Sequence, residues 1–139
     1  MASIHREIEI NRSRAEVWNV IRDVGNIHQR LVRGFVTDCR LEADGAARVV
    51  TFANGMVVRE LIVSVDDAIW RHAWAAQSAM LAHYNASVQL FTTGDDENAC
   101  RVVWIADLLP HEAAGPVAAM IEQGLAAMKR TLEADASPG

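Results

Sequence analysis

Between Phe35 and Leu109 the sequence falls into six short apolar segments joined by turn-forming residues. The segments are "FVTDCRLE", "ARVVTFA", "MVVRELIVSV", "IWRHAWAAQ", "HYNASVQLFTT" and "CRVVWIADLL". Several alternate with period two, the mark of a half-buried strand. Asp44-Gly45, Asn54-Gly55, Asp66-Asp67 and "GDDENA" supply turns. Connections this short join antiparallel neighbours, because a parallel crossover needs a dozen or more residues. The middle of the chain is therefore expected to form an antiparallel sheet.

The ends add helices. "SIHREIEI" places Ile4, Ile8 and Ile10 on one face and His5, Glu7 and Glu9 on the other, with Arg6 out of pattern. "SRAE" is a capping box, Ser13 as N-cap and Glu16 three residues on. The helix it opens carries Val17, Trp18 and Ile21 and is expected to stop at Gly25. "NIHQRLV" reads as a second short turn of helix before Gly34. After Pro110 the apolar period becomes 3.6, with Val117, Met120, Ile121, Gly124, Leu125, Met128 and Leu132 on one stripe. Lys129 and Arg130 stand near its end, where cations suit the helix dipole. The expected fold is α+β: a seven-stranded curved antiparallel sheet around a long C-terminal helix, with two short helices between strands 1 and 2. One domain over residues 1–135 and a tail over 136–139 complete the expectation.

The chain has 139 residues, 51% of them hydrophobic and 22% charged, which predicts a globular protein. Its formal net charge of -5, with scattered Lys and Arg, argues against nucleic acid as a partner. "MASIHREIEI" lacks the apolar run of a signal peptide, and no stretch suits a membrane span. The expected location is cytoplasmic, with Cys39 and Cys100 reduced. His5, His28, His72, His83 and His111 show no metal-binding spacing, and the cysteines form no CxxC. No phosphate-binding glycine motif and no nucleophile elbow occurs. No metal and no cofactor is expected.

The order of elements resembles the START-like superfamily, also called SRPBCC or helix-grip, which includes birch-pollen allergens, polyketide cyclases and plant abscisic-acid receptors. The most telling segment is "VVRELIVSVDDAIWRHAWAAQSAMLAHYNASVQLF". It is similar to the family's glutamate-bearing strand, acidic turn, aromatic strand and tyrosine-led strand. On its strand, Glu60 shares a face with Met56, Val58, Ile62 and Ser64, and Arg59 shares the other with Val57, Leu61, Val63 and Val65. Both faces are mostly apolar, so periodicity does not choose between them. The resemblance implies that Glu60 looks into an internal cavity, with Val58 and Ile62 beside it as ligand-binding positions; an internal ion pair of Glu60 with an arginine is the competing reading.

The resemblance also implies cavity positions for Trp70, His72 and Trp74 on one strand and for Tyr84, Ala86 and Val88 on the next. The last strand would add Val103 and Ile105, and the long helix Val117, Met120 and Gly124. Arg33 matches a basic position that meets a carboxylate ligand in the abscisic-acid receptors. Two functions follow from the resemblance. One is binding of a small hydrophobic molecule for transport, sensing or sequestration. The other is a cyclase or dehydratase using Glu60 with His72 or Tyr84 as acid and base. Gly124, an unfavourable residue inside a helix, either leaves room for ligand or allows close packing. The apolar Val57, Leu61 and Val63 suggest a homodimer contact.

Overall fold

The structure, a computed structural model, describes residues 2–136, apart from the Gln77 side chain. Beyond Ala136, the expected tail lies outside the described residues. The strands are β1 (Ala2–Ile10), β2 (Val36–Leu41), β3 (Ala47–Phe52), β4 (Val57–Asp66), β5 (Arg71–Gln77), β6 (His83–Thr93) and β7 (Asp96–Leu109). They form one antiparallel sheet in the order β1-β7-β6-β5-β4-β3-β2. Each hairpin keeps sequence neighbours adjacent, and β1 closes the far edge by pairing with β7 from Ala2↔Leu108 to Ile10↔Cys100. Two short helices, α1 (Arg14–Ile21) and α2 (Ile27–Arg30), separate β1 from β2. The long helix α3 (Ala114–Ala134) follows a single 3-10 turn. This is the helix-grip arrangement anticipated from the sequence.

Three register shifts interrupt the ladders, between Val36 and Asp38, Ile62 and Ser64, and Thr92 and Thr93. Such irregularities increase local twist and bend a sheet. They also reverse side-chain parity. In β2 the buried residues are Val36 and Cys39, while Thr37 is exposed, so the one-sided alternation of Phe35, Thr37, Cys39 and Leu41 that period two predicts for "FVTDCRLE" does not hold. In β4, Ile62 lies opposite Trp74 but Ser64 lies opposite Ala73, so Ser64 leaves the face that carries Glu60.

The capping box forms as expected: Ser13 Oγ accepts from the Glu16 backbone N–H at 3.2 Å. Helix α1 ends at Ile21 rather than at Gly25, with Arg22 as its cap. It is pinned to the turn after β4, because the Trp18 indole N–H and the Arg22 guanidinium both donate to Asp67, at 2.8 and 3.0 Å. The Arg6 that breaks the β1 pattern pairs with Glu122 of α3 at 3.1 Å. Lys129 donates to the Glu9 carbonyl at 2.8 Å, so it ties α3 to β1 rather than serving the helix end.

The buried face of α3 holds Val117, Ile121, Gly124, Leu125, Met128 and Leu132, joined by Ala127 and Thr131. Cys39 and Cys100 are both free and buried. On the outer sheet face Val57 and Val63 stand 61% and 62% exposed. Among the described residues no helix is long and apolar enough to cross a membrane.

Gly124 answers the question its position raised. A Cβ there would lie 2.9 Å from Trp104 Cζ3 and 3.3 Å from Phe35 Cε2. The missing side chain lets the helix backbone approach Trp104; it does not leave space for a ligand. Alanine would gain roughly 1 kcal/mol in helix propensity. Overpacking against a fixed indole typically costs about 1–3 kcal/mol. Gly124→Ala is therefore expected to be net destabilising, by about 1 kcal/mol, in chemical denaturation. A stabilised variant would show that Trp104 moves away freely.

Candidate functional site

The side chain that decides the site is Arg48 of β3, which the sequence reading did not single out. The register places it directly opposite Glu60 of β4, and residues directly opposite in an antiparallel pair project to the same face. Arg48 Nε donates to Glu60 Oε1 at 2.9 Å, and a terminal nitrogen lies 2.8 Å from the same oxygen. The other terminal nitrogen donates to the Val24 carbonyl at 2.9 Å. Arg48 is 4% exposed and Glu60 7%. Glu60 thus points inward, and the cost of burying its charge is met by a buried cation. Both earlier readings of Glu60 hold together geometrically: it lines the cavity and it is an ion-pair partner.

His72 of β5 is buried nearby. Its Nδ1 lies 3.1 Å from the Ser64 carbonyl, which can only accept, so Nδ1 carries the proton. Nε2 then holds a lone pair, and it is buried with no hydrogen-bond partner. Burial, reinforced by the Arg48 charge, pulls the imidazole pKa down from 6.5 to about 4. The ring stacks on Trp74, with centroids 5.0 Å apart, and Trp104 meets Trp74 edge-on at 5.6 Å. Trp104 Nε1 is also buried, beside the Tyr84 hydroxyl. Burial and the Glu60 charge push the Tyr84 hydroxyl well above its ordinary value. Burial also raises Cys39, and raises Cys100 to about 11, so neither thiol is an activated nucleophile.

These groups surround a cavity of about 80 Å³ between sheet and helix. Of the positions anticipated from the sequence, Glu60, His72, Trp74, Tyr84, Val88 and Met120 line it. Arg48, Trp104, Phe35, Phe52, Val50 and Met128 line it as well and were not anticipated. So do residues of the helical segment between β1 and β2, among them Ile21, Ile27 and Leu31.

Several expected positions lie elsewhere. Arg33 is at the surface, where it pairs with Asp135 at 2.7 Å. Trp70 precedes β5 with a φ of 59° and packs against Trp18 of α1 at 6.4 Å, beneath the Arg14 guanidinium. Val103 and Ile105 belong to the outer face with Arg71, Gln89 and Arg101, because β7 turns its even-numbered residues inward. Val58, Ala86 and Val117 are buried in the core, and Ile62 is half-buried, but none reaches the cavity wall. Gly124 lies behind Trp104. Among the described residues no group of His, Cys, Asp or Glu is arranged to hold a metal ion.

Two outcomes are expected. Removing one member of a buried ion pair typically costs about 3–5 kcal/mol, because the other charge stays buried alone. Glu60→Leu should lose about that much in urea denaturation, and adding Arg48→Met should recover most of it. A second mutation that only adds to the loss would contradict the pairing. The second outcome concerns pH. Between the unfolded value of 6.5 and the native value of about 4, the unfolded chain binds a proton at His72 that the native chain does not. This contribution is intact above that window and is lost as pH falls through it, at up to about 1.4 kcal/mol per pH unit. Stability of wild type minus that of His72→Gln should follow this slope and level off below the native value; a flat difference would count against the burial.

No curated protein matches the chain. Solved structures do. XoxI from Bacillus cereus superposes with a TM-score of 0.84 at 20% identity, over 99% of this chain and 100% of that one. The di-domain ARO/CYC protein BexL gives 0.79 at 14% identity, over 99% of this chain and 48% of BexL. A START superfamily protein from Mycobacterium smegmatis gives 0.70 at 10% identity, over 95% and 94%. At these identities the likeness concerns the fold. Residues 1–133 match the family described as "Polyketide cyclase / dehydrase and lipid transport". With that match over nearly the whole length, the chain belongs to the polyketide cyclase/dehydrase and lipid transport family.

Proposed function

We propose that this protein binds a small hydrophobic molecule in the cavity between sheet and C-terminal helix, for transport, sensing or sequestration, without turning it over. The observation that carries the reading is the state of the three acid-base candidates. An effective general acid or base has a pKa near the working pH. His72 is held down near 4 and Tyr84 is driven upward, both mainly by burial. Glu60 is engaged by Arg48 at 2.8 Å. A cyclase or dehydratase would need one of them free to move a proton. A binding site needs only an apolar wall with a few fixed polar groups, and that is what surrounds the cavity.

The volume of about 80 Å³ is below the few hundred Å³ typical of drug-sized ligands. A very small molecule fits the cavity as it stands. Met120 and Met128 on the helix wall are unbranched and adaptable, so the wall can yield to a larger one.

Native mass spectrometry of freshly purified protein tests the proposal. A co-purifying small molecule is expected on wild type and not on a folded Val50→Phe variant, whose extra volume fills the cavity. If wild type carries no adduct and also shows no saturable binding of a naphthalene-sized probe, the proposal fails. Self-association through the exposed Val57 and Val63 belongs to the same proposal and is read from the same spectra.

A further inference from the structure

The outer face of the sheet carries a second cavity, a groove of about 310 Å³. Among the described residues none lines both this groove and the inner cavity. Ser87 of β6 and Val103 and Ile105 of β7 form its floor. Ser87 and Val103 are only 8% and 6% exposed, although they lie on the face turned away from α3. Longer side chains of the same face, among them Arg71, Gln89 and Arg101, stand around them. A flat sheet face would leave such short side chains open to solvent; here they lie at the bottom of a groove whose volume is in the range of small-molecule sites.

Part of the groove's charge is already met. Glu7 holds Arg101 at 3.1 Å and His5 at 3.2 Å, and the Arg101 guanidinium rests over the Phe91 ring, 4.9 Å from its centroid. Two charges are not met. The Arg71 side chain has no hydrogen-bond or ion-pair partner among the described residues. Asp66, opposite it in the ladder, turns its Oδ1 to the backbone N–H groups of Ala68 and Ile69, at 2.9 and 3.4 Å. Asp107 accepts from the Ser3 hydroxyl at 2.6 Å and the Asn85 amide at 3.2 Å, both neutral donors, and pairs with no cation among the described residues. Between these two charges the floor keeps hydrogen-bonding capacity. The Ser87 hydroxyl makes no hydrogen bond among the described residues, and Gln89 spends an N–H on the Ile69 carbonyl at 3.1 Å, which leaves its own oxygen to accept.

The register fixes the spacing of the two charges. Arg71 stands opposite Gln89 and Asp107 opposite Asn85, one pair at each end of the groove. Their Cα positions are therefore about 13 Å apart along the strands and about 10 Å apart across them. Arg71 lines the groove with its long side chain, which narrows the gap between charges to roughly 10–14 Å, the span of three or four extended residues. A simple anion would answer Arg71 and leave Asp107 unmet; a simple cation would do the reverse. We propose that this groove binds a short extended peptide with free ends, three or four residues long. Its terminal carboxylate sits on the Arg71 guanidinium, which suits a two-pronged contact, and its terminal ammonium sits on Asp107. Ser87 and Gln89 meet the peptide backbone, and Val103 and Ile105 take small side chains. The site is independent of the ligand in the inner cavity, from which the sheet separates it.

The test uses three probes at neutral pH: tetraalanine with free ends, its N-acetylated form and its C-terminal amide. Each is titrated into the intact protein and followed by NMR through the backbone amides of β6 and β7. Saturable shifts are expected at Ser87, Gln89, Val103 and Ile105 with the free peptide. Blocking either end should weaken binding at least about ten-fold, since each removes a hydrogen bond between charged groups. Arg71→Gln should weaken the free peptide about ten-fold and leave the affinity of the amide unchanged, because the amide has no carboxylate to lose. Asp107→Asn should do the same for the free and acetylated forms. If Asp107→Asn does not fold, the blocked peptides on wild type and the Arg71→Gln comparison still decide. Equal affinity for the acetylated and free peptides would mean that the groove reads only an anion, and overturns the peptide assignment. Absence of saturable shifts with tetraalanine, or an equal loss for all three probes in Arg71→Gln, overturns it as well.

Discussion

The Arg48–Glu60 pair is the interaction around which the interior is organised. Two buried charges are tolerable only when each compensates the other, so the inner faces of β3 and β4 must stay in the register that keeps them opposite. Arg48 also reaches the Val24 carbonyl, in the segment between α1 and α2, and so links the sheet to the helical cover on that side. Its guanidinium lies 5.7 Å from the Trp74 ring, which extends the pair's influence to the aromatic wall. One ion pair thereby joins two strands, a loop and the next strand's tryptophan.

The same pair sets the electrostatics of the cavity. Its cation helps to keep His72 neutral, and its anion helps to keep the Tyr84 hydroxyl protonated, each in addition to the larger effect of burial. The wall is consequently uncharged overall yet still polar at a few atoms. Groups held far from neutral pH in opposite directions make good fixed hydrogen-bonding partners and poor proton carriers. Membership of the polyketide cyclase/dehydrase and lipid transport family leaves the choice between binding and chemistry to the site.

Helix α3 gains its close seat through small residues. Gly124 meets Trp104 and Phe35, and Ala127 is buried beside it in sequence with Met128. Trp104 therefore serves twice, as the surface the helix rests on and as part of the cavity wall. This coupling is why a methyl group added at position 124 is expected to be felt at the site.

The sequence by itself determined the elements, their order and the antiparallel sheet, because periods of two and 3.6 follow from local backbone geometry and short turns join only neighbours. It also determined the inward set on β6, where Tyr84, Ala86, Val88 and Leu90 alternate with polar residues. It did not determine which residues face each other across hairpins. A two-residue loop at Asn54-Gly55 would set Arg48 opposite Leu61; the actual three-residue loop, with Gly55 at a φ of +89°, sets it opposite Glu60. Counting back from the turn at Gly94, where Thr93 pairs with Asp96, would set Tyr84 opposite Ile105; the register shift after Thr92 sets it opposite Leu108 and turns Trp104 inward. Arg33 and Trp70 were drawn away by partners distant in sequence, Asp135 and the α1 residue Trp18. A single residue of slip reverses a strand's faces. Those slips arise from bulges and loop geometry selected by packing over the whole sheet, so only the tertiary structure could decide what lines the cavity.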